Sequence, residues 1–126
     1  MKRVITYLLV LSLLLVPGAK TAQAALGKDQ SVSLTINGSK TASISVSAKG
    51  TASVTQIHIT SYLQRYKDGK WTTITSWSKT VYSNTSSFSK THSLSVSGKY
   101  RVQAIIKYTG NSTTESHTIN STTKTC

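Results

Sequence analysis

Few side chains in this sequence are of the types that carry out catalysis or bind metal ions. Among 126 residues there are three acidic residues, three histidines and one cysteine. They are Asp29, Asp68, Glu115, His58, His92, His117 and Cys126. The acidic residues are isolated along the chain, whereas acid–base hydrolysis needs a pair of carboxylates. The histidines fall on different predicted strands without metal-ligand spacing, and there is no Gly-x-Ser-x-Gly elbow or glycine-rich phosphate loop. We therefore predict a protein that is not an enzyme and holds no metal or cofactor.

The single cysteine limits how the protein can be cross-linked. Cys126 is the last residue of the sequence, so it has no partner for an intrachain disulfide. It follows a polar segment, and we expect either a frayed thiol or an intermolecular bridge. The sequence thus predicts a monomer or a Cys126-linked dimer whose core is held by packing alone.

The balance of charge points to anionic partners. Lysine and arginine number 15 against three acidic residues, for a formal net charge of +12. The basic residues are spread along the chain, which favours general attraction to polyanions over sequence-specific recognition of nucleic acid. Outside a cell, such polyanions include wall polymers, anionic lipid headgroups, glycosaminoglycans and free DNA. A positive surface that serves only solubility explains the charge equally well.

The first 24 residues have the features of a removable signal peptide. A positive start at Met1-Lys2-Arg3 precedes an apolar stretch from Val4 to Val16, and Ala22-Gln23-Ala24 has the form of a cleavage site. The apolar stretch, about 13 residues, is shorter than the ~20 that a membrane-spanning helix needs. We predict cleavage after Ala24, no membrane span in the mature part, and a protein that is secreted or associated with the cell wall.

The rest of the chain predicts an all-β fold. Apolar residues alternate with serine and threonine in seven short segments, separated by turn signals such as Asn37-Gly38 and Asp68-Gly69. The clearest segment has Tyr100, Val102, Ala104, Ile106 and Tyr108 in one phase. Seven short strands at nearly regular spacing indicate an antiparallel β-sandwich. We assign residues 25–30 to a linker, 31–120 to the sandwich and 121–126 to a polar tail.

The segment from Leu94 to Val102 resembles the approach to the sixth strand of fibronectin type III and other immunoglobulin-like domains. There a leucine precedes a corner tyrosine by six residues, as Leu94 precedes Tyr100 here. The resemblance implies an immunoglobulin-like sandwich in which Tyr100 forms a tyrosine corner and Val102 stands where antibody domains keep a cysteine. Over residues 31–120 the chain is similar to small secreted immunoglobulin-like proteins of Gram-positive bacteria with no assigned function.

A hairpin around Asp68-Gly69 predicts a candidate binding face. A two-residue turn fixes the register of its two strands. The predicted pairs include Tyr66–Trp71, Leu63–Ile74 and Thr60–Trp77. One face then carries the core residues Ile57, Ile59, Leu63 and Ile74. The other carries the aromatic rings of Tyr62, Tyr66, Trp71 and Trp77, with assisting cations at Arg65, Lys67, Lys70, Arg101 and Lys107.

Three interpretations of this aromatic face follow from the residues. Clustered exposed rings often mark a contact surface. Outward rings can instead stabilise the hairpin itself, by roughly 0.2–1 kcal/mol for each cross-strand pair. A β-bulge could also reverse the phase of the strand and bury the tryptophans.

The sequence therefore favours a secreted, non-catalytic binding module. Its expected partner is an extracellular or cell-wall polyanion, a glycan or a surface protein. One alternative is a structural protein whose copies join through edge strands or through Cys126. Another is a cationic antimicrobial or toxin-like effector, for which charge is the sole support.

Overall fold

The computed structural model describes residues 25–126, so the predicted signal peptide and its cleavage site lie outside the described residues. Eight strands follow one another along this part of the chain. They are β1 (Gly27–Ile36), β2 (Thr41–Gly50), β3 (Val54–Lys67), β4 (Lys70–Val81), β5 (Thr85–Ser93), β6 (Lys99–Gly110), β7 (Thr113–Asn120) and β8 (Lys124–Thr125). No helix within residues 25–126 is long and apolar enough to cross a membrane.

The strands form two antiparallel sheets, and the prediction of an immunoglobulin-like β-sandwich is confirmed. One sheet has the order β1-β2-β5 and the other the order β4-β3-β6-β7, with the short β8 also paired to β6. β3 lies beside β6, as the resemblance to fibronectin type III domains implies. The two-residue β8 is an addition to the seven strands predicted from the sequence.

Two clusters of buried side chains fill the space between the sheets. The first cluster consists of Leu26, Val46, Ala48, Val54, Ile57, Ile59, Ala104, Ile106 and Tyr108. The second cluster consists of Leu34, Ala42, Ile44, Leu63, Leu94, Tyr100 and Val102. Tyr100 is 2% exposed, and its hydroxyl donates a hydrogen bond to the carbonyl oxygen of Val96, four residues upstream. This bond from a buried ring to upstream backbone is the geometry of a tyrosine corner.

The abundant serine and threonine residues cover the outer face of the β1-β2-β5 sheet. Strict alternation along the three strands places nine hydroxyl side chains on this face in three cross-strand rows. They are Ser31, Ser33, Thr35, Ser43, Ser45, Ser47, Ser87, Ser89 and Thr91. In the first row the Oγ atoms of Ser31 and Ser47 are 2.6 Å apart. Hydroxyl side chains suit this position because a strand can expose them to water without losing backbone pairing.

The turns are built from short polar residues, although one differs from the prediction. At the β3–β4 turn both Asp68 (φ 52°) and Gly69 (φ 81°) lie in the left-handed region, as a two-residue hairpin turn requires. The β1–β2 connection was expected to turn at Asn37-Gly38 alone, but it uses residues 37–40. There the Asn37 side-chain oxygen accepts hydrogen bonds from the backbone N–H of Ser39 and Thr41, and this replaces the tighter turn.

Both ends of the sandwich are more ordered than the sequence indicated. β1 begins at Gly27, inside the segment assigned to a linker, because Leu26 is buried in the first cluster. The supposed tail returns to β6 as β8, so residues 121–126 are not simply frayed. The backbone of Cys126 exchanges hydrogen bonds with Gly98, and its side chain packs against the second cluster.

Glu115 on β7 holds the start of β1 in place. Its two carboxylate oxygens accept hydrogen bonds from the backbone N–H of Leu26 at 2.7 Å and of Gly27 at 3.0 Å. His117 lies two residues further along the same face and contacts the same carboxylate. The hydrogen bond with His117, followed by those with the two backbone amides, lowers the pKa of Glu115 from its ordinary value of 4.5. These bonds stabilise the charged carboxylate.

We expect Glu115→Gln to weaken the acid dependence of folding stability. A carboxyl group whose pKa is lowered by folding stabilises the protein fully above its ordinary pKa, and that contribution is lost as the pH falls through the lowered value. The glutamine variant should be less stable by about 1 kcal/mol at neutral pH, since the carboxylate is 28% exposed. It should also show a shallower loss of stability below about pH 4.5.

Urea denaturation from pH 7 to pH 3 tests this expectation. Asp68→Asn is the matched control, because it removes a carboxylate at the hairpin turn, where asparagine also tolerates a positive φ. The control should keep the acid dependence of the parent. If the unfolding free energy of Glu115→Gln depends on pH as that of the parent does, the carboxylate does not anchor β1.

Candidate binding surface

A β-bulge in β4 changes the predicted register of the β3–β4 hairpin. Near the turn the pairs are as predicted, with Tyr66 opposite Trp71 and Gln64 opposite Thr73. The next residue of β3, Leu63, pairs with Thr75, so Ile74 has no partner. From Thr75 onwards every side chain of β4 lies on the opposite face from the one predicted.

The bulge makes two of the predicted positions wrong. Trp77 lies opposite Ser61 on the inner side and packs against the second cluster, so it does not belong to the outer aromatic face. Ile74 was assigned to the core but is 43% exposed. Ser61 has a small side chain and is fully buried between core residues of β3. Its small side chain leaves room for the large ring of Trp77, which lies opposite.

The remaining predicted residues divide between the two faces. Tyr62, Tyr66, Trp71, Arg101 and Lys107 lie in the outer phase of their strands. Arg65 lies in the opposite phase, across from Tyr100, and Lys67 pairs with Lys70 beside the turn. Lys107 pairs with His58, six positions along β6 from Arg101, and is therefore remote from the hairpin end.

Four residues of the outer face form what we call the aromatic–cation cluster: Tyr66, Trp71, Lys99 and Arg101. The rings of Tyr66 and Trp71 meet edge to face with centroids 5.2 Å apart. The guanidinium carbon of Arg101 lies 4.4 Å from the Trp71 ring centroid, and Lys99 Nζ lies 5.7 Å from that of Tyr66. Each cation–π contact is worth about 0.5–1 kcal/mol at an exposed site.

Gln64 fixes the orientation of this cluster. It lies opposite Arg101, and its side-chain oxygen accepts a hydrogen bond of 2.8 Å from Arg101 Nε. The two terminal amino groups of the guanidinium make no hydrogen bond to another described residue and can reach a phosphate or carboxylate. The Trp71 ring, which is partly exposed, therefore lies between the Arg101 guanidinium and the Tyr66 ring.

The charged side chains are distributed unevenly along the sandwich. We call the half built around the second cluster, which includes the aromatic–cation cluster, the basic half. It carries eight cations, at Lys40, Arg65, Lys67, Lys70, Lys90, Lys99, Arg101 and Lys124, and one acid, at Asp68. The other half carries Lys28, Lys49, Lys79 and Lys107 with Asp29 and Glu115. Positive potential is therefore concentrated at one end of the molecule.

Gln64 and Lys99 belong to this surface but were not among the predicted residues. Gln64 shares a phase with Tyr62 and Tyr66, so its outward position could have been predicted from the alternation along β3. Its contact with Arg101 depends on the register between β3 and β6, and no turn connects those two strands. Lys99 shares the outward phase of Arg101 and could have been found from the alternation along β6.

The titratable groups of the described chain do not assemble into a metal site. No group of three or more histidine, cysteine or acidic side chains lies close enough together within residues 25–126 to hold a metal ion. Burial raises the pKa of Tyr100 and of Tyr108, which keeps both hydroxyls protonated as hydrogen-bond donors.

Comparison with known proteins adds one structural likeness. No protein-family model matches this chain, and no curated protein matches it. The crystal structure of a CARDB domain from Pyrococcus furiosus, in complex with di-metal ions, has 13% sequence identity to the chain. The match covers 82% of this chain and 95% of that domain, with a TM-score of 0.42.

Proposed function

We propose that the protein is a secreted, non-catalytic module that attaches through its basic half to an anionic extracellular or cell-wall polymer. The observation that carries this proposal is the aromatic–cation cluster together with its surroundings. Eight cations share this half with a single acidic side chain, so a polyanion is attracted to one end of the sandwich. The cluster then supplies oriented hydrogen-bond donors and ring surface at that end.

The parts of this surface contribute differently to binding. Arg101 is held by Gln64 and Trp71, so little side-chain entropy is lost when its terminal amino groups bind an anion. The lysines at the hairpin turn are exposed and act as mobile point charges. Ring contacts survive salt, whereas the attraction of exposed charges is screened beyond about 8 Å at physiological ionic strength.

Retention on immobilised heparin, used as a defined polyanion, tests the proposal. A triple variant with Lys67→Gln, Lys99→Gln and Arg101→Gln removes three charges from the basic half. The matched control, Lys28→Gln, Lys49→Gln and Lys107→Gln, removes three charges from the other half. Both variants change net charge equally, so only the position of the charges differs.

We expect the basic-half variant to elute at clearly lower salt than both the parent and the control. A plot of log K against log salt concentration should be less steep by roughly two to three units for the basic-half variant. Each cation that no longer contacts the polyanion reduces the number of released counterions by about one. If the two variants elute together, net charge alone explains attachment and the basic half has no special role. Circular dichroism checks that both remain folded.

A further inference from the structure

A groove of about 220 Å³ opens at the basic half on the inner side of the sheet that contains β3 and β4. Its main lining residues are Arg65, Ile74, His92, Leu94, Val96 and Tyr100. β5 ends at Ser93, whereas β3 and β4 continue to their hairpin turn. The inner face of the hairpin is therefore uncovered where the opposite sheet has ended.

The walls of the groove are partly apolar and partly exposed, and Ser93 and Ser95 lie beside the apolar side chains. Ile74 is 43% exposed and Val96 is 46% exposed, whereas Leu94 and Tyr100 beside them are buried. The bulge in β4 leaves Ile74 without a pairing partner and directs it into this opening. A ligand that displaces water from apolar side chains on a concave surface lowers the free energy of the complex, because apolar surface is buried.

The groove also carries a positive charge without a neutralising partner. Within residues 25–126 no carboxylate lies within 4.0 Å of the Arg65 guanidinium, because the single ion pair found there joins His117 and Glu115. Asp29 and Glu115 belong to the other half of the sandwich, and Asp68 lies at the hairpin turn outside the groove lining. An anionic group is therefore the complement to this end of the groove.

We infer that the groove binds a short-chain aliphatic carboxylate, with its tail on Ile74 and Val96 and its carboxylate on Arg65. The volume equals that of about seven water molecules in the liquid, which suits a tail of about five or six carbons. This site is distinct from the aromatic–cation cluster, because its lining residues include none of Tyr66, Trp71, Lys99 and Arg101.

Titration of the protein with sodium hexanoate, followed by backbone amide chemical shifts, tests the inference. We expect saturable shifts for residues 92–96, with a dissociation constant on the order of 1 mM for a ligand of this size. Arg65→Gln should weaken binding at least tenfold, and Arg65→Lys should restore most of it. Ile74→Ser, at an exposed position, should weaken binding several-fold without unfolding the protein.

Three controls separate this site from weaker explanations. Lys67→Gln, which removes a nearby cation outside the groove, should leave hexanoate binding within twofold of the parent. Hexanol and sodium sulfate should each fail to produce saturable shifts, since one lacks the charge and the other lacks the tail. The inference is overturned if hexanol or sulfate binds as well as hexanoate, if Lys67→Gln matches Arg65→Gln, or if hexanoate shifts nothing in residues 92–96. Heparin retention is expected to stay unchanged in Ile74→Ser, so the two proposals can fail independently.

Discussion

Replacing Tyr100 by alanine is expected to lower the free energy of unfolding by about 3–5 kcal/mol. The ring is 2% exposed and lies within the second cluster, so its removal opens a cavity that the surrounding strands cannot close. The substitution also removes the hydrogen bond to the carbonyl oxygen of Val96, which fixes the connection between β5 and β6. Chemical denaturation monitored by tryptophan fluorescence measures the change.

Tyr100→Phe separates the two contributions. It keeps the ring in the core and removes the hydroxyl alone, so we expect a loss of about 0.5–1.5 kcal/mol. If both variants unfold at the same denaturant concentration as the parent, the tyrosine corner and the placement of Tyr100 in the second cluster are contradicted. A phenylalanine variant as unstable as the alanine variant would instead make the hydrogen bond, rather than the ring, the dominant contribution.

Trp77→Ala is expected to cost about 1.5–3 kcal/mol, less than a fully buried tryptophan because the ring is only partly covered. Trp77 packs against the second cluster, and its ring also meets that of His92 edge to face at 6.4 Å. Truncation removes this packing and leaves a gap beside Ser61, whose hydroxyl is buried without a hydrogen-bond partner in the described chain. Denaturant midpoints of the single variant measure the effect.

Trp71→Ala is the matched control, because it removes the same ring from the outer face of the same strand. Its neighbours are Tyr66 and Arg101 rather than the core, so we expect a loss below about 1 kcal/mol. Heparin retention should show the opposite ranking. Trp71→Ala should bind heparin more weakly than the parent, whereas folded Trp77→Ala should bind it as well as the parent does. Equal destabilisation by the two substitutions would contradict the β4 bulge.

The fold could be predicted because alternation and turn residues agree along most of the chain. The apolar phase of Tyr100 to Tyr108 matches β6, and the Asp68-Gly69 turn fixes the first pairs of β3 and β4. The first and last residues of the sandwich were harder to predict from the sequence. β1 starts early because Glu115, 88 residues away along the chain from Gly27, binds its first amides, and sequence alternation does not report such distant contacts.

The candidate site was predicted only in part, because one bulge reverses the faces of β4 beyond Ile74. Strict alternation puts Trp71 and Trp77 in one phase and Ile74 in the other. The structure instead exposes Ile74 and covers Trp77. A physical signal existed in Ser61, a small residue in the core phase of β3 that leaves space for a large ring opposite. Ser61 can be matched with Trp77 only when the pairing register of β3 and β4 is known, and the bulge changes that register.

The most direct measurement of the central proposal is a backbone amide chemical-shift titration of the protein with a soluble heparin oligosaccharide. If the basic half is the attachment surface, the largest shifts will fall on residues 64–71 and 99–101, which form the aromatic–cation cluster and its hairpin. These shifts should diminish with added salt but remain detectable, because ring contact persists when charge is screened. Shifts of equal size around Lys28, Lys49 and Lys107, or shifts spread evenly over both sheets, would contradict the proposal.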